Sequence, residues 1–521
     1  VAKAGAIMVI SLFLSRILGL VRDMVMAGKF GADATVDAYA LAFMLPDLLF
    51  FAIAGGALSS AFIPVFSEYL HTDREDDAWH VFSSVVTIMS TIVLLFIAVA
   101  FVFAEPLTRL LAGGKSNELM PLIVEMTRIL LPAQFAFFIG GLMFGTLYAR
   151  QVFAVPGLGP NVYNIGIILG AVVISQFVSP GIKGMAWGAL AGAVIGNLVL
   201  PLLVMNRLGA RYRVQYDVRH PGVKKVFVLM APVVFGLSLP GVYDMITRYF
   251  GTFFADGVNA WLRYGNLLMQ APLGIFGQSL AIAVFPALAQ FYAQQRMDMF
   301  RQQLSATIRT TLFLTLPVSV LFAVAAPQIV AALYQQGRFT SADTQAVGEI
   351  LRWFSIGIWA WCLQPVLMRG FFAIQATVPP IILGTVTTAV FVALIWLLKP
   401  LQGYLAIPMA SSTAAILLAG ALLVAIQQRV GTLDVAGIGT TFAKSLLASA
   451  CFGAISYLVL LSPLNAPGLG KLVAVLLLLA CTVPGAVVYF LVTRRLQMPE
   501  SETISRAMNR LSRKAGRNAK G

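Results

Sequence analysis

The sequence predicts an all-α membrane protein of about fourteen transmembrane helices, and three observations carry that prediction. Hydrophobic residues make up 59% of the 521 and charged residues 11%, with a mean hydropathy of +0.87. Soluble domains hold roughly 25% charged residues, so this length divides into membrane spans rather than soluble domains. Apolar runs bounded by charge, Gly or Pro recur at roughly 37 residues per helix and loop, where a spanning helix needs about 20. Much of the basic charge gathers in the short segments between those runs and in the tail.

Taken in order, the predicted spans are 4–28, 35–66, 80–104, 121–149, 158–178, 184–206, 225–252, 258–292, 305–334, 344–374, 380–398, 403–427, 438–461 and 471–493. The longer runs are expected to tilt or to extend past the bilayer. Arg16 and Arg22 interrupt the first run and no A-x-A-like site ends it, so it reads as a retained helix. The loop after the sixth span carries Arg207, Arg211, Arg213, Arg219, Lys224 and Lys225, and the loop after the eighth carries Arg296 and Arg301. Beyond the fourteenth come Arg494, Arg495, Arg506, Arg510, Arg513, Lys514, Arg517 and Lys520, while the opposite loops offer Lys29, Lys183, Arg338 and Lys399. Both termini are therefore predicted cytoplasmic. The same distribution assigns the net charge of +15 to membrane topology, with no nucleic-acid partner.

The chain resembles itself. Ala61-Phe62-Ile63-Pro64 followed by Val65-Phe66-Ser67-Glu68-Tyr69 echoes Ala283-Val284-Phe285-Pro286 followed by Ala287-Leu288-Ala289-Gln290-Phe291-Tyr292. Pro106 likewise matches Pro327, the separations being 222 and 221 residues. Six spans per repeat gives two halves of the same orientation, related by an axis along the membrane normal, with a site at their interface. The expected organisation is an N-lobe 1–220 (helices 1–6), a C-lobe 221–430 (helices 7–12), helices 13–14 over 431–495, and a basic cytoplasmic tail 496–521.

Charge inside the spans marks the candidate site. An arginine at the centre of a spanning helix costs about 2.5–3.5 kcal/mol, so Arg16 and Arg22 require a water-filled cavity or an anionic ligand. Ser15, Gly19 and Arg22 share one helical face, and Asp23 lies seven residues beyond Arg16. Either the arginines bind an anion with Asp23 orienting one guanidinium, or they form ion pairs that hold the bundle together. Asp37 opens the second span, where it pairs with a first-span arginine or stands as an exposed acid at the helix end. Asp47 follows Pro46 and is placed to satisfy backbone groups freed by a kink. Gly55, Gly56, Ser59 and Ser60 make a small-residue packing face. The second repeat supplies Arg248, Arg263 and Asn266; Arg263 is close enough to its helix end to snorkel, and Asn266 can donate to a phosphate oxygen without charge. Arg128, Arg352 and Arg369 read as snorkelling residues.

Catalytic and metal signals are absent from the sequence. Cys362, Cys451 and Cys481 lie in apolar runs without ligand spacing. His71, His80 and His220 fall in predicted loops, with no H-E-x-x-H and no P-loop lysine motif. No cofactor is expected. Transport would draw on an ion gradient, the membrane potential or the substrate's own gradient, with Asp23, Asp37 and Asp244 as candidate coupling groups.

Ser15-Arg16-Ile17-Leu18-Gly19 with Arg22-Asp23, Thr35-Val36-Asp37-Ala38-Tyr39 and Ala61-Phe62-Ile63-Pro64 open a pattern that continues nearly full length. Pro156, Pro160, Asn164, Asn266-Leu267-Leu268-Met269-Gln270-Ala271-Pro272, Leu333 to Thr340, and Arg369-Gly370-Phe371-Phe372-Ala373 follow in order. In this the chain resembles the MurJ/MviN family, the bacterial lipid II flippases of the multidrug/oligosaccharidyl-lipid/polysaccharide exporter superfamily. The resemblance implies two six-helix lobes around a cationic cavity, with helices 13–14 forming a groove for the polyprenyl tail. It further implies alternating access that carries undecaprenyl-pyrophosphate-linked peptidoglycan precursor to the outer leaflet of the bacterial inner membrane, in cell wall biogenesis and cell shape, alongside cell-wall synthesis proteins. On this reading Ser15, Arg16, Arg22, Asp23, Asp37, Arg248, Arg263 and Asn266 bind substrate, Arg16 and Arg22 taking the pyrophosphate. The pattern also departs from the family, since Phe50-Phe51 and Gly55 replace an Arg-Arg pair and a glutamate, and Asn266 replaces a cavity arginine. The alternatives are a flippase for another polyprenyl-linked glycan or a drug/cation antiporter of the same superfamily; an intramembrane enzyme lacks a catalytic constellation.

Overall fold

Every element of secondary structure among the described residues of the computed structural model is helical. Those residues are 2–53, 57–72, 74–115, 117–462, 465 and 470–502, with the side chains of 2–7, 9, 52–60 and 231–241 also outside the description. Gly55, Gly56, Ser59, Ser60 and most of the basic tail therefore lie outside it.

The chain forms two compact units, one of Val1–Ala260 with Gln336–Phe339 and one of Trp261–Gln335 with Thr340–Gly521. The first holds α1 (Ala2–Phe30), α2 (Ala34–Ala42), α3 (Met44–Ile53), α4 (Ala57–Leu70), α5 (Glu75–Val102), α6 (Ala104–Leu111), α7 (Met120–Leu130), α8 (Ala133–Ala149), α9 (Ala154–Val172), α10 (Lys183–Ala193), α11 (Leu200–Arg207) and α12 (Pro221–Gly251). The helix α13 (Val258–Pro272) begins there and continues in the second unit, which adds α14 (Gln278–Ala293), α15 (Met297–Val324), α16 (Ala326–Tyr334), α17 (Ser341–Ser355), α18 (Ile358–Ala373), α19 (Val378–Gln402), α20 (Ala406–Val430), α21 (Val435–Leu460) and α22 (Lys471–Arg495). Short π-helical turns, Val194–Val199 and Leu273–Gly277, run α10 into α11 and α13 into α14.

Ten helices among the described residues are long and apolar enough to cross a membrane, or up to eleven with the α17–α18 pair, bent by 47°, taken as one span. The sequence predicted about fourteen. Part of the difference is how breaks are treated: the stretch Val378–Val430 counts once but holds two 25-residue helices packed on each other. Each is about 38 Å long, enough for a bilayer by itself.

Local signals start and stop these helices where the sequence requires. The Asp33 carboxylate accepts from the N–H of Thr35 and Val36 to cap α2, and a Thr340–Asp343 capping box opens α17. His220 caps α12, with Pro221 at its first position. In the first unit an aromatic core joins α4, α5 and α8 through Phe62, Phe66, Trp79, Phe82 and Phe138. Phe50 packs on it, 5.6 Å from Phe138 between ring centroids. In the second unit Phe300, Leu304, Ile308, Leu312 and Leu316 of α15 repeat every four residues and meet Leu363, Val366, Leu367 and Phe371 of α18 in one core. Helix α12, which the sequence repeat assigns to a C-lobe starting at 221, packs against α3, α4 and α5, so compactness draws the unit boundary after Ala260.

Candidate anion-binding site on the first helix

Helix α1 is gripped by α9 along a seam of small and polar residues. Gly157, Asn161 and Asn164 fall at i, i+4 and i+7, hence on one face of α9. A Cβ on Gly157 would lie 3.0 Å from Ser11 Cβ, so the helices approach closely there. The Asn161 amide donates to Ser11 O at 3.2 Å, and Asn164 Nδ2 donates to Ser15 O at 3.3 Å and Ser15 Oγ at 3.4 Å. Further along the two helices, Lys29 Nζ donates to Ser175 Oγ at 2.6 Å and to Val172 O at 3.3 Å, closing the C-terminal end of α9.

The two arginines of α1 occupy different states. Arg22 Nε and Nη2 donate to both oxygens of Asp23 at 3.2 and 3.1 Å, and Nη1 donates to Asn164 Oδ1 at 3.1 Å. Its side chain is 19% exposed and that of Asp23 4%, so the pair is largely withdrawn from solvent. Arg16 is exposed and has no carboxylate partner among the described residues. Ser15, Arg16, Arg22 and Asp23 thus sit on one helix with one guanidinium fixed and one open.

The other predicted residues lie elsewhere. Asp37 pairs with neither arginine: its carboxylate meets Lys115 Nζ at 2.7 Å and accepts from the N–H of Gly257 at 3.0 Å and Ala260 at 2.7 Å. It is fully buried rather than an exposed acid, and it caps the start of α13 from another helix. Lys115 also reaches Asp256 at 3.0 Å and is buried. Arg248 is held by Asp47 at 3.1 Å and Asp244 at 2.5 Å and donates to Ala40 O at 3.3 Å. Asp47 therefore answers a guanidinium as well as lying beside Pro46, and Arg248 already carries two carboxylates. Arg263 and Asn266 are half-buried on α13, in the second unit from the α1 residues. Phe50 belongs to the aromatic core, which accounts for an apolar residue where the family pattern has a cation. Lys115 was missed because a lysine in a loop carries no sequence sign of burial. The partnership of Asn164 with Arg22 was missed too, although the i, i+4, i+7 spacing of Gly157, Asn161 and Asn164 is a signal that could have found it.

Comparison with known proteins places the chain among relatives of one kind. A family model described as "Lipid II flippase MurJ" matches residues 26–478. The probable lipid II flippase MurJ of Buchnera aphidicola is 28% identical over 364 residues, 70% of this chain and 71% of that protein. That of Thermotoga maritima is 27% identical over 494 residues, 95% of this chain and 96% of that protein. A solved structure, "Lipid II flippase MurJ, inward closed conformation", superposes with a TM-score of 0.78 at 25% identity, covering 94% of this chain and 99% of its own. With a family match spanning most of its length, this chain belongs to the MurJ family of lipid II flippases.

Proposed function

We propose that this chain flips lipid II, the undecaprenyl-pyrophosphate-linked peptidoglycan precursor, from the cytoplasmic to the outer leaflet by alternating access between lobes 1–220 and 221–430. The observation that carries the reading is the pair of arginines on α1, one held and one open. A guanidinium fork matches the oxygens of a pyrophosphate and keeps its charge at any physiological pH. Asp23 leaves Arg22 close to neutral as a pair, so Arg16 supplies the net positive charge that first attracts the substrate. Arg22 then adds directional donors without a second full charge, which keeps the complex weak enough to release on the far side.

Ser15, Asp23 and Asn164 fix the geometry around these donors, Arg263 and Asn266 are further candidate polar contacts for the substrate, and Arg248 and Asp37 brace the helices. Helices α21 and α22 pack on one another and expose Leu446, Leu447, Leu472, Leu476, Val483 and Val487, an apolar surface suited to the polyprenyl tail. Both termini lie in the cytoplasm, and an ion gradient or the membrane potential resets the cycle. The test is a leaflet assay in cells depleted of their own flippase, with lipid II detected at the outer face. Wild type restores outer-leaflet lipid II, whereas Arg16→Ala, present and folded in the membrane, does not. Full restoration by both Arg16→Ala and Arg22→Ala would sink the anion-site assignment.

A further inference from the structure

The connection between α11 and α12 is an irregular segment, 210–217, that hydrogen-bonds to α5. Four polar residues of α5 hold it there. Ser83 Oγ donates to Arg211 O at 3.3 Å and accepts from Arg213 N at 3.2 Å; the Tyr212 and Tyr216 hydroxyls meet Thr87 Oγ1 at 3.1 Å and Thr91 Oγ1 at 2.9 Å. Gln215 Nε2 donates to His80 O at 2.8 Å, and Asp217 meets His80 Nε2 at 2.9 Å.

Two features of this strap have no role in the transport site. Tyr212, Val214, Tyr216 and Val218 alternate along it and are 50%, 73%, 61% and 60% exposed. Around them Arg207, Arg213, Arg219 and Lys224 are exposed and have no acidic partner among the described residues, whereas Arg211 is paired with Asp76 at 2.7 Å. The place of the strap is fixed by the helix under it. Residues 78–89 of α5 are almost wholly covered, and from Thr91 onward Leu94, Leu95, Phe96 and Val99 are exposed as lipid-facing residues would be. Irregular backbone does not occur facing lipid within the hydrocarbon layer, so the strap lies in the interfacial layer, where tyrosines concentrate.

We propose that this strap is a docking surface for anionic phospholipid headgroups of the surrounding bilayer. Arg207, Arg213, Arg219 and Lys224 take the phosphates, and the Tyr212–Val218 row inserts at the acyl-chain boundary. Charge complementarity decides the occupant: four unpaired cations flank an apolar row at headgroup depth, and the positive-inside bias places them at the anionic cytoplasmic leaflet.

The test uses the full-length protein in nanodiscs of phosphatidylethanolamine with or without phosphatidylglycerol. A nitroxide on Val214→Cys should report headgroup-to-acyl depth by oxygen and nickel-chelate collision. Native mass spectrometry should show preferential retention of phosphatidylglycerol. Each basic residue near an anionic surface strengthens attachment about fivefold. The triple variant Arg213→Gln, Arg219→Gln, Lys224→Gln should therefore lower that retention more than tenfold. Arg109→Gln, whose residue is already paired with Glu105, should retain it. Should the triple variant fail to fold, raising salt on the wild type must release phosphatidylglycerol selectively. A label open to water in both bilayers, or equal retention of both phospholipids, overturns the proposal. So does retention of a polyprenyl pyrophosphate at this surface in place of phosphatidylglycerol.

Discussion

Asn164 Oδ1 accepts a hydrogen bond from Arg22 Nη1 at 3.1 Å across the α1–α9 seam, while Arg16, six residues earlier on the same helix, is exposed. The contrast separates two roles that charge alone would merge. Removing the acceptor with Asn164→Ala should cost about 1.5–3 kcal/mol of stability, the worth of a hydrogen bond to a charged group. Both variants lose the Nδ2 donation to Ser15, but Asn164→Asp keeps an acceptor for Arg22, and a charged acceptor strengthens that bond. The aspartate also places a second carboxylate on Arg22 and cancels the net positive charge that Arg16 supplies. Transport should therefore fall further in Asn164→Asp than in Asn164→Ala, although the aspartate variant is the more stable. Thermal melts beside the leaflet assay check this; a transport order that follows stability would show that Asn164 acts only as a brace.

Much of that cluster was legible in the sequence, and the reason is helical spacing. Ser15, Gly19 and Arg22 share a face whatever else the chain does, and a charged face in an apolar helix demands a polar partner. The long-range ion pairs of Asp37 and Arg248 were not legible, unlike Asp244 at i, i+4 to Arg248. Their partners Lys115 and Asp47 lie far off along the chain, in a loop and beside a proline, and local pattern holds no record of such pairings. Phe50 shows the same limit from the other side. Its difference from the family pattern was visible, but only its ring contact with Phe138 shows that the aromatic core claims the position. The number of spans was blurred by helices that break and restart inside one apolar run, as between the two helices of Val378–Val430.

The Asp37–Lys115 pair is a second place for measurement. Both side chains are buried, and Asp37 also caps the start of α13. Lys115→Met leaves Asp37 with Gly257 and Ala260 N–H groups but no countercharge, which should cost about 3–5 kcal/mol. Adding Asp37→Asn removes the stranded charge while the side-chain oxygen still accepts one backbone bond. The double variant should recover a large part of the loss, and a double-mutant cycle on melting temperatures measures it. Simple addition of the two single effects would show that the pair is not coupled.

The α5 strap should loosen as pH falls. Burial lowers the His220 pKa below its ordinary 6.5, and His80 reinforces this, while Asp217 and Asp77 act against it and Arg74 with it. The His220 ring stacks 5.0 Å from that of His80, and its Nδ1 accepts from Gly222 N, a bond that needs the unprotonated nitrogen. A depressed pKa means that the folded form binds fewer protons than the unfolded one, so stability is retained above 6.5 and lost as pH drops through the folded value. Asp217, lowered chiefly by its hydrogen bond with His80, acts in the same direction, below the ordinary carboxylate value of 3.8. Hydrogen exchange in 209–224, corrected for intrinsic rates, should therefore rise between pH 7.5 and 5.5, a window bracketing the ordinary histidine value. His220→Asn, which keeps a capping side chain, should remove the rise. Identical pH profiles for the two proteins would place the sensitivity elsewhere.

Close approach of α9 and α10 gives the last prediction. A Cβ on Gly188 would overlap the Gly166 carbonyl oxygen, one on Gly170 that of Gly184, and one on Gly166 would lie 2.6 Å from Gly188 O. The overlapped atoms are backbone, so no side-chain rotation relieves them, and the helices must part. Gly188→Ala should cost about 1–3 kcal/mol, as over-packing does, and it loosens the support against which α9 grips α1. Gly384 on α19 provides the control, since nothing lies within 4 Å of a Cβ there. Gly384→Ala should be neutral or stabilising by up to about 1 kcal/mol through helix propensity. A lower melting temperature and lower transport in Gly188→Ala alone would tie the α9–α10 contact to the arginine site. Equal stability of the two variants would mean that α10 moves aside freely, and α9 would then need another explanation for its fixed hold on Arg22.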